Sequence, residues 1–256
     1  MGYPFFKSRS MKTRIKDNLA SLEKRITAAC AHSGRSRDEV QLLLATKTVD
    51  ADRIKIAIEE GYPLIGENKV QELRDKYEGI GTDNCTRHFI GHLQTNKIKD
   101  ILKYGVTCIE SIDRISVVEK LQQLLERDNR TIDVLIQVNT SDEDSKFGVA
   151  PEAAVEFIKE VATYDRLHIK GLMTIGLFSA EEKLVRPCFK ILKKVQQEAI
   201  ALQLPNVEMK ELSMGMSHDL EIAIEEGATI VRVGTAIFGE RIYPDSYYWN
   251  EEKNIK

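Results

Sequence analysis

Hydrophobic residues along this chain follow two alternating periods. Ile15, Leu19, Leu22 and Ile26 recur every three to four positions between residues 11 and 33, which predicts an amphipathic helix. QLLLATK, residues 41 to 47, is a short apolar run ending in polar residues, the pattern of a buried parallel strand. A helix follows near 51 to 60, with Ile54, Ala57 and Ile58 on its apolar side and Gly61 as its stop. PLIGEN predicts a second strand, Lys69 to Tyr77 a charged helix, RHFIGHL a third strand, residues 95 to 103 a short helix and VTCIESI a fourth strand.

The alternation continues to the end. Arg114 to Arg127 places Ile115, Val118, Leu121 and Leu125 on one face, and IDVLIQVN is nearly all apolar until Asn139. Pro151 opens a helix carrying Val155, Ile158 and Val161, before the strand IKGLMTI. Pro187 is expected to open the next helix, ELSMG to form a short seventh strand, Ser217 to Glu226 a helix that Ser217 caps, and TIVRVGTAIFG an eighth strand with its exit loop. Eight strand-helix pairs predict a single α/β domain, a (β/α)8 TIM barrel, with an open doubly wound sheet as the alternative. IAIEEG at 56 to 61 returns at 222 to 227, each time ending a helix before an apolar strand. The domain is placed at 11 to 242. Residues 1 to 10 read as an extension or tag expected to be disordered, and 243 to 256 as a tail.

Composition narrows the classes. The chain has 256 residues, 42% of them hydrophobic, enough for a sizeable core. Its 37 basic and 40 acidic residues leave a formal charge of -3, against nucleic-acid binding. Cys30, Cys85, Cys108 and Cys188 form no CxxC pair, so neither a zinc site nor a disulfide framework is indicated and a cytoplasmic location fits. No apolar run approaches membrane-spanning length. Charged predicted helices offer no obvious oligomer face, so a monomer is expected.

A barrel's active site forms at the C-terminal ends of its strands. Those ends carry Lys47, Glu67, Asn68, His92, Glu110, Ser111, Asn139, Thr174, the segment Ser213 to Ser217, Arg232, Gly234 and Thr235. Alternation puts Leu43, Ala45 and Lys47 on one face, so the small Ala45 leaves room under a partly shielded amine. Such an amine can attack an aldehyde, the usual way a protein holds pyridoxal phosphate. Taken alone, this stretch is better read as a lysine reaching into solvent. SMGMS and VGT fall in the loops that favour phosphate in this fold. Arg232, between Val231 and Val233, needs an anion or a strong acceptor: a structural carboxylate such as Glu67 or Glu110, or a ligand phosphate or pyridine nitrogen. His88 and His92 lack a third ligand, and DEDSKFG has Lys146 where a calcium ligand belongs.

The motifs ATKTV, GENKVQE, HFIGHLQTNK, KFGV, LSMGMSHD and VRVGTAIFGER together resemble the pyridoxal phosphate homeostasis family, which is related to the barrel of alanine racemase. Thr46 stands where the family often has serine. The resemblance implies an alanine racemase N-terminal type barrel with an extra N-terminal helix and no C-terminal β domain. It implies a Schiff base on Lys47, Asn68 near the ring, Ser217, Gly234 and Thr235 on the phosphate, and Arg232 facing the pyridine nitrogen. The implied function is to carry or buffer pyridoxal phosphate, with effects on amino-acid and keto-acid balance and with apo-enzymes as recipients. An amino-acid racemase is the rival, drawing its second acid/base from His92 or from Tyr243, Tyr247 or Tyr248.

Overall fold

In the computed structural model, residues 10–81, 85–141, 147–177, 179 and 181–239 are described. Eight parallel strands close into a barrel in chain order: β1 Gln41–Ala45, β2 Leu64–Glu67, β3 Thr86–Phe89, β4 Val106–Ile112, β5 Ile132–Gln137, β6 Leu167–Met173, β7 Val207–Ser213 and β8 Ile230–Val233. β1 pairs with β8, Leu43 opposite Arg232, which excludes the open sheet. Helices α1 Met11–His32, α2 Ala51–Glu59, α3 Val70–Ile80, α4 Ile98–Lys103, α5 Ile115–Arg127, α6 Pro151–Val161, α7 Glu182–Ala201, α8 Leu220–Glu225 and α9 Thr235–Phe238, with 3-10 turns at Arg37–Glu39 and Thr95–Lys97, complete the described elements. None of these helices is long and apolar enough to cross a membrane.

Strand alternation builds two cores. Leu42 and Leu44 belong to the large cluster under the helices, whereas Leu43 packs with Leu64, Ile230 and Ile90 inside the barrel. Cys108, Leu135 and Met173 with Ile175 fill the opposite interior wall. α1 buries Ile15, Leu19, Leu22 and Ile26 where it packs against α2, α8 and α9, about 1.5–3 kcal/mol each on removal from water. Ser10, placed by sequence in the extension, accepts the Thr13 N–H and caps this helix. All four cysteines are free thiols, and burial pushes Cys108 well above the ordinary thiol range.

Four expectations need correction. Pro187 does not open α7, which begins at Glu182 and carries the proline inside it. An interior proline costs about 3 kcal/mol. Burial of Val185, Cys188 and Phe189, and Arg186's bonds to Glu182, Glu225 and Glu226, hold the helix through it. β7 is longer than ELSMG, starting at Val207; Glu208 and Lys210 point outward and break up its apolar pattern. Residues 235 to 238, expected within the eighth strand and its exit loop, form the helix α9. Ser217 does not cap α8, which begins only at Leu220; Asp219 occupies the cap position and uses its carboxylate on the Met216 N–H instead. Lys146 and the tail tyrosines lie outside the described residues.

Candidate active site

Lys47 follows β1 in a tight turn, half-buried, between buried Thr46 and exposed Thr48. The turn closes through Val49 N to Thr46 O at 3.0 Å. Thr48 has φ 66, a left-handed conformation that is strained for a β-branched residue. Both neighbours of Lys47 are held by side chains from β2 and α3. The Thr46 hydroxyl donates to Glu67 Oε1 at 2.6 Å, Lys76 Nζ donates to Thr46 O at 2.8 Å, and Thr48 N donates to Glu72 Oε1 at 2.9 Å.

Next to this turn lies the end of β8. Gly234 passes so close to β1 that a Cβ would sit 2.6 Å from Ala45 O, so the position demands glycine for space. Thr235 begins α9, whose first intrahelical bond runs from Ile237 N to Gly234 O. The Thr235 and Ala236 N–H groups therefore precede the ladder, as at any helix start. The Thr235 hydroxyl meets the Ser217 hydroxyl at 3.3 Å. α1 braces both segments: Asn18 donates to Ile237 O at 2.9 Å, and Arg25 donates to Ser217 O at 3.0 Å and to both oxygens of Glu221. Sequence reasoning missed this brace, because Asn18 and Arg25 read as ordinary polar positions of an amphipathic helix.

Arg232 is buried inside the barrel. Its Nη1 donates to Ser213 Oγ and its Nη2 to Thr174 O, each at 2.8 Å. Ser213 passes its own hydrogen to Glu110 Oε2 at 2.5 Å, and Glu110 Oε1 meets His88 Nδ1 at 2.6 Å. Of the two carboxylates expected for Arg232, Glu110 is thus linked through Ser213, while Glu67 serves the Lys47 turn. Burial pulls the Glu110 carboxyl upward, but His88, Arg232 and Ser213 together hold it below the usual range. Burial lowers Arg232, opposed by the charges of Glu110 and Asp219.

Asn68 leaves β2 where its carbonyl passes Gly91, and a Cβ on Gly91 would lie 2.0 Å from Asn68 O. Asn68 Oδ1 and Ser111 Oγ are buried without a hydrogen-bond partner among the described residues. Buried polar atoms rarely stay unpaired, which makes both candidates for a ligand contact. Other strand-end residues are occupied elsewhere. His92 stacks on Phe147 with ring centroids 3.6 Å apart, and Asn139 Oδ1 accepts from Ser141.

Comparison with known proteins agrees with this geometry. The family described as "Alanine racemase, N-terminal domain" matches residues 17–242. A pyridoxal phosphate homeostasis protein of Aquifex aeolicus is 42% identical over 228 residues, 89% of this chain and 98% of the relative. A crystal structure of an unknown protein from Bifidobacterium adolescentis superposes with a TM-score of 0.86 at 39% identity, covering 90% of this chain and 97% of that one. PipY of Synechococcus elongatus, solved with PLP bound, superposes with a TM-score of 0.75 at 29% identity, covering 88% of this chain and 100% of that one. With a closed barrel and near full-length similarity to such relatives, the chain belongs to the pyridoxal phosphate homeostasis protein family, built on the alanine racemase N-terminal domain.

Proposed function

We propose that this protein binds pyridoxal 5'-phosphate through Lys47 and carries or buffers the cofactor for apo-enzymes, working as a monomer. The observation that carries the reading is the convergence of a lysine turn, a close glycine crossing and paired hydroxyls at the adjoining ends of β1, β7 and β8. The unpaired Asn68 Oδ1 and the paired Ser217 and Thr235 hydroxyls fit a flat ring carrying a phosphate. When bound, pyridoxal phosphate supplies an aldehyde that condenses with an amine, releasing one water.

Each residue then has a defined task. Lys47 provides the amine, and Asn68 offers a polar edge beside the ring. Ser217 and Thr235 donate hydroxyl hydrogens to the phosphate, and the Thr235 and Ala236 N–H groups add backbone donors. Arg232 turns its guanidinium toward the pyridine nitrogen; Ser213 and Thr174 O take two of its five N–H donors. A permanent cation at that nitrogen disfavours its protonation and so weakens the ring as an electron sink. That suits a carrier better than an enzyme that stabilises carbanions. The racemase reading is not favoured: His92, its acid/base candidate within the described residues, stacks on Phe147 and lies 3.4 Å from Arg114 Nη1.

The functional test is transfer. Loaded protein mixed with a pyridoxal phosphate-dependent apo-enzyme should restore that enzyme's activity, and Lys47→Ala should abolish specific loading and transfer. Racemisation of L-alanine that depends on Lys47 would overturn the carrier reading.

A further inference from the structure

We propose that Glu67, Glu72 and Lys76 are positioning residues for Lys47, forming a clamp in which the two carboxyls share one proton and fix the peptide on both sides of the lysine. The inference rests on the reading that Lys47 holds the cofactor.

The geometry is specific. Lys47 is flanked by Thr46 and Thr48, and the clamp takes hold of both. Glu67 receives the Thr46 hydroxyl, Lys76 grips the Thr46 carbonyl, and Glu72 takes the Thr48 N–H. The left-handed Thr48 costs about 1–2 kcal/mol and persists only where surrounding bonds over-determine it. The bond from Thr48 N to Glu72 is such a restraint.

Charge balance argues for the shared proton. Lys76 Nζ lies 2.8 Å from Glu67 Oε1 and 3.8 Å from Glu72 Oε2, so one largely buried cation faces a buried carboxyl and a partly exposed one. One bound proton makes the set neutral. Glu67 Oε1 already accepts from Thr46 and Lys76, while Glu67 Oε2 and Glu72 Oε2 are both buried without a hydrogen-bond partner. A proton on Glu67 Oε2, donated toward Glu72, satisfies two orphaned oxygens at once. The short Glu67–Lys76 contact read alone implies an ionised pair, but burial dominates here and pushes the Glu67 carboxyl up to about 8, with Lys76 opposing and Glu72 adding to the rise. The charged groups acting on Glu67 both come from α3; the residue after β1 contributes the neutral Thr46 hydroxyl, and the end of β3 meets Glu67 through Phe89 and the following Ile90 N–H.

The test uses full-length protein titrated with pyridoxal phosphate and followed by the visible absorbance of the bound cofactor. Glu72→Ala should lower affinity about tenfold, as expected for losing one charge-assisted bond. Glu67→Gln keeps the Oε1 acceptor and donates from its amide to Glu72, so it should retain affinity within about threefold while Glu67→Ala loses about tenfold. In wild type, affinity should fall as pH rises through about 8, and Glu67→Gln should remove that step. Infrared spectra of the unliganded wild type at neutral pH should show a protonated carboxyl C=O band that is absent from Glu67→Gln, a readout independent of cofactor and of how the alanine variants fold. No such band, or a loss in Glu67→Gln as large as in Glu67→Ala, overturns the shared proton. Unchanged affinity in Glu72→Ala overturns the clamp. Failure of the Lys47 reading itself is distinguishable, because borohydride would then fix no adduct on Lys47 in wild type.

Discussion

Arg232→Met keeps a long apolar stem at β8 while deleting the charge at the centre of the barrel network. Two bonds of 2.8 Å disappear, to Ser213 Oγ and Thr174 O. Glu110, fully buried, keeps His88 and Ser213 but loses the favourable field of the guanidinium. Removing one partner of a buried ion pair costs about 3–5 kcal/mol; Ser213 bridges this pair, which places the expected loss near the low end, about 3 kcal/mol. The assay is equilibrium denaturation of the unliganded protein at neutral pH. Because most of the loss is attributed to a stranded Glu110 charge, adding Glu110→Gln to Arg232→Met should cost less than the sum of the single changes, with coupling of at least about 1 kcal/mol. A loss under about 1 kcal/mol for Arg232→Met, or additivity in the double variant, would refute the network as described.

Other outcomes follow from the same geometry. Gly91→Ala places a Cβ against the Asn68 carbonyl, and an overpacking loss of about 1–3 kcal/mol should appear in thermal denaturation, together with weaker cofactor binding. Ser217→Ala and Thr235→Val should each weaken pyridoxal phosphate binding about tenfold while leaving binding of unphosphorylated pyridoxal unchanged; equal losses for both ligands would remove these hydroxyls from the phosphate site. Glu110 sits below its ordinary value when folded, so its contribution to stability is present above the unfolded carboxyl value of 4.5 and is lost as pH falls through the depressed folded one. Glu110→Gln should therefore flatten the acid limb of a stability-against-pH curve.

The barrel was legible in the sequence because most outward strand faces and helix stripes repeat their period cleanly, as Leu42 and Leu44 or Leu121 and Leu125 do. Elements were misplaced where tertiary forces override local signals. Pro187 remains helical because Arg186 is tied to Glu182, Glu225 and Glu226, and the start of β7 is hidden by Glu208, which pairs with Lys170 on the neighbouring strand. Most candidate site residues were found from their position at strand ends. Strand position alone does not reveal connectivity: Ser213 joins Arg232 to Glu110 across the barrel, and Glu72 and Lys76 reach the Lys47 turn from one face of α3. Neither link has a local motif, since each depends on which strand the barrel closes beside which.

The central claim concerns one amine, and one measurement addresses it directly. The protein is mixed with pyridoxal phosphate, its visible spectrum is recorded before and after borohydride, and the reduced product is digested and mapped. The account predicts a single stoichiometric adduct on Lys47. An adduct spread over surface lysines, or none, would contradict it and return Lys47 to the role of a solvated residue at a strand end.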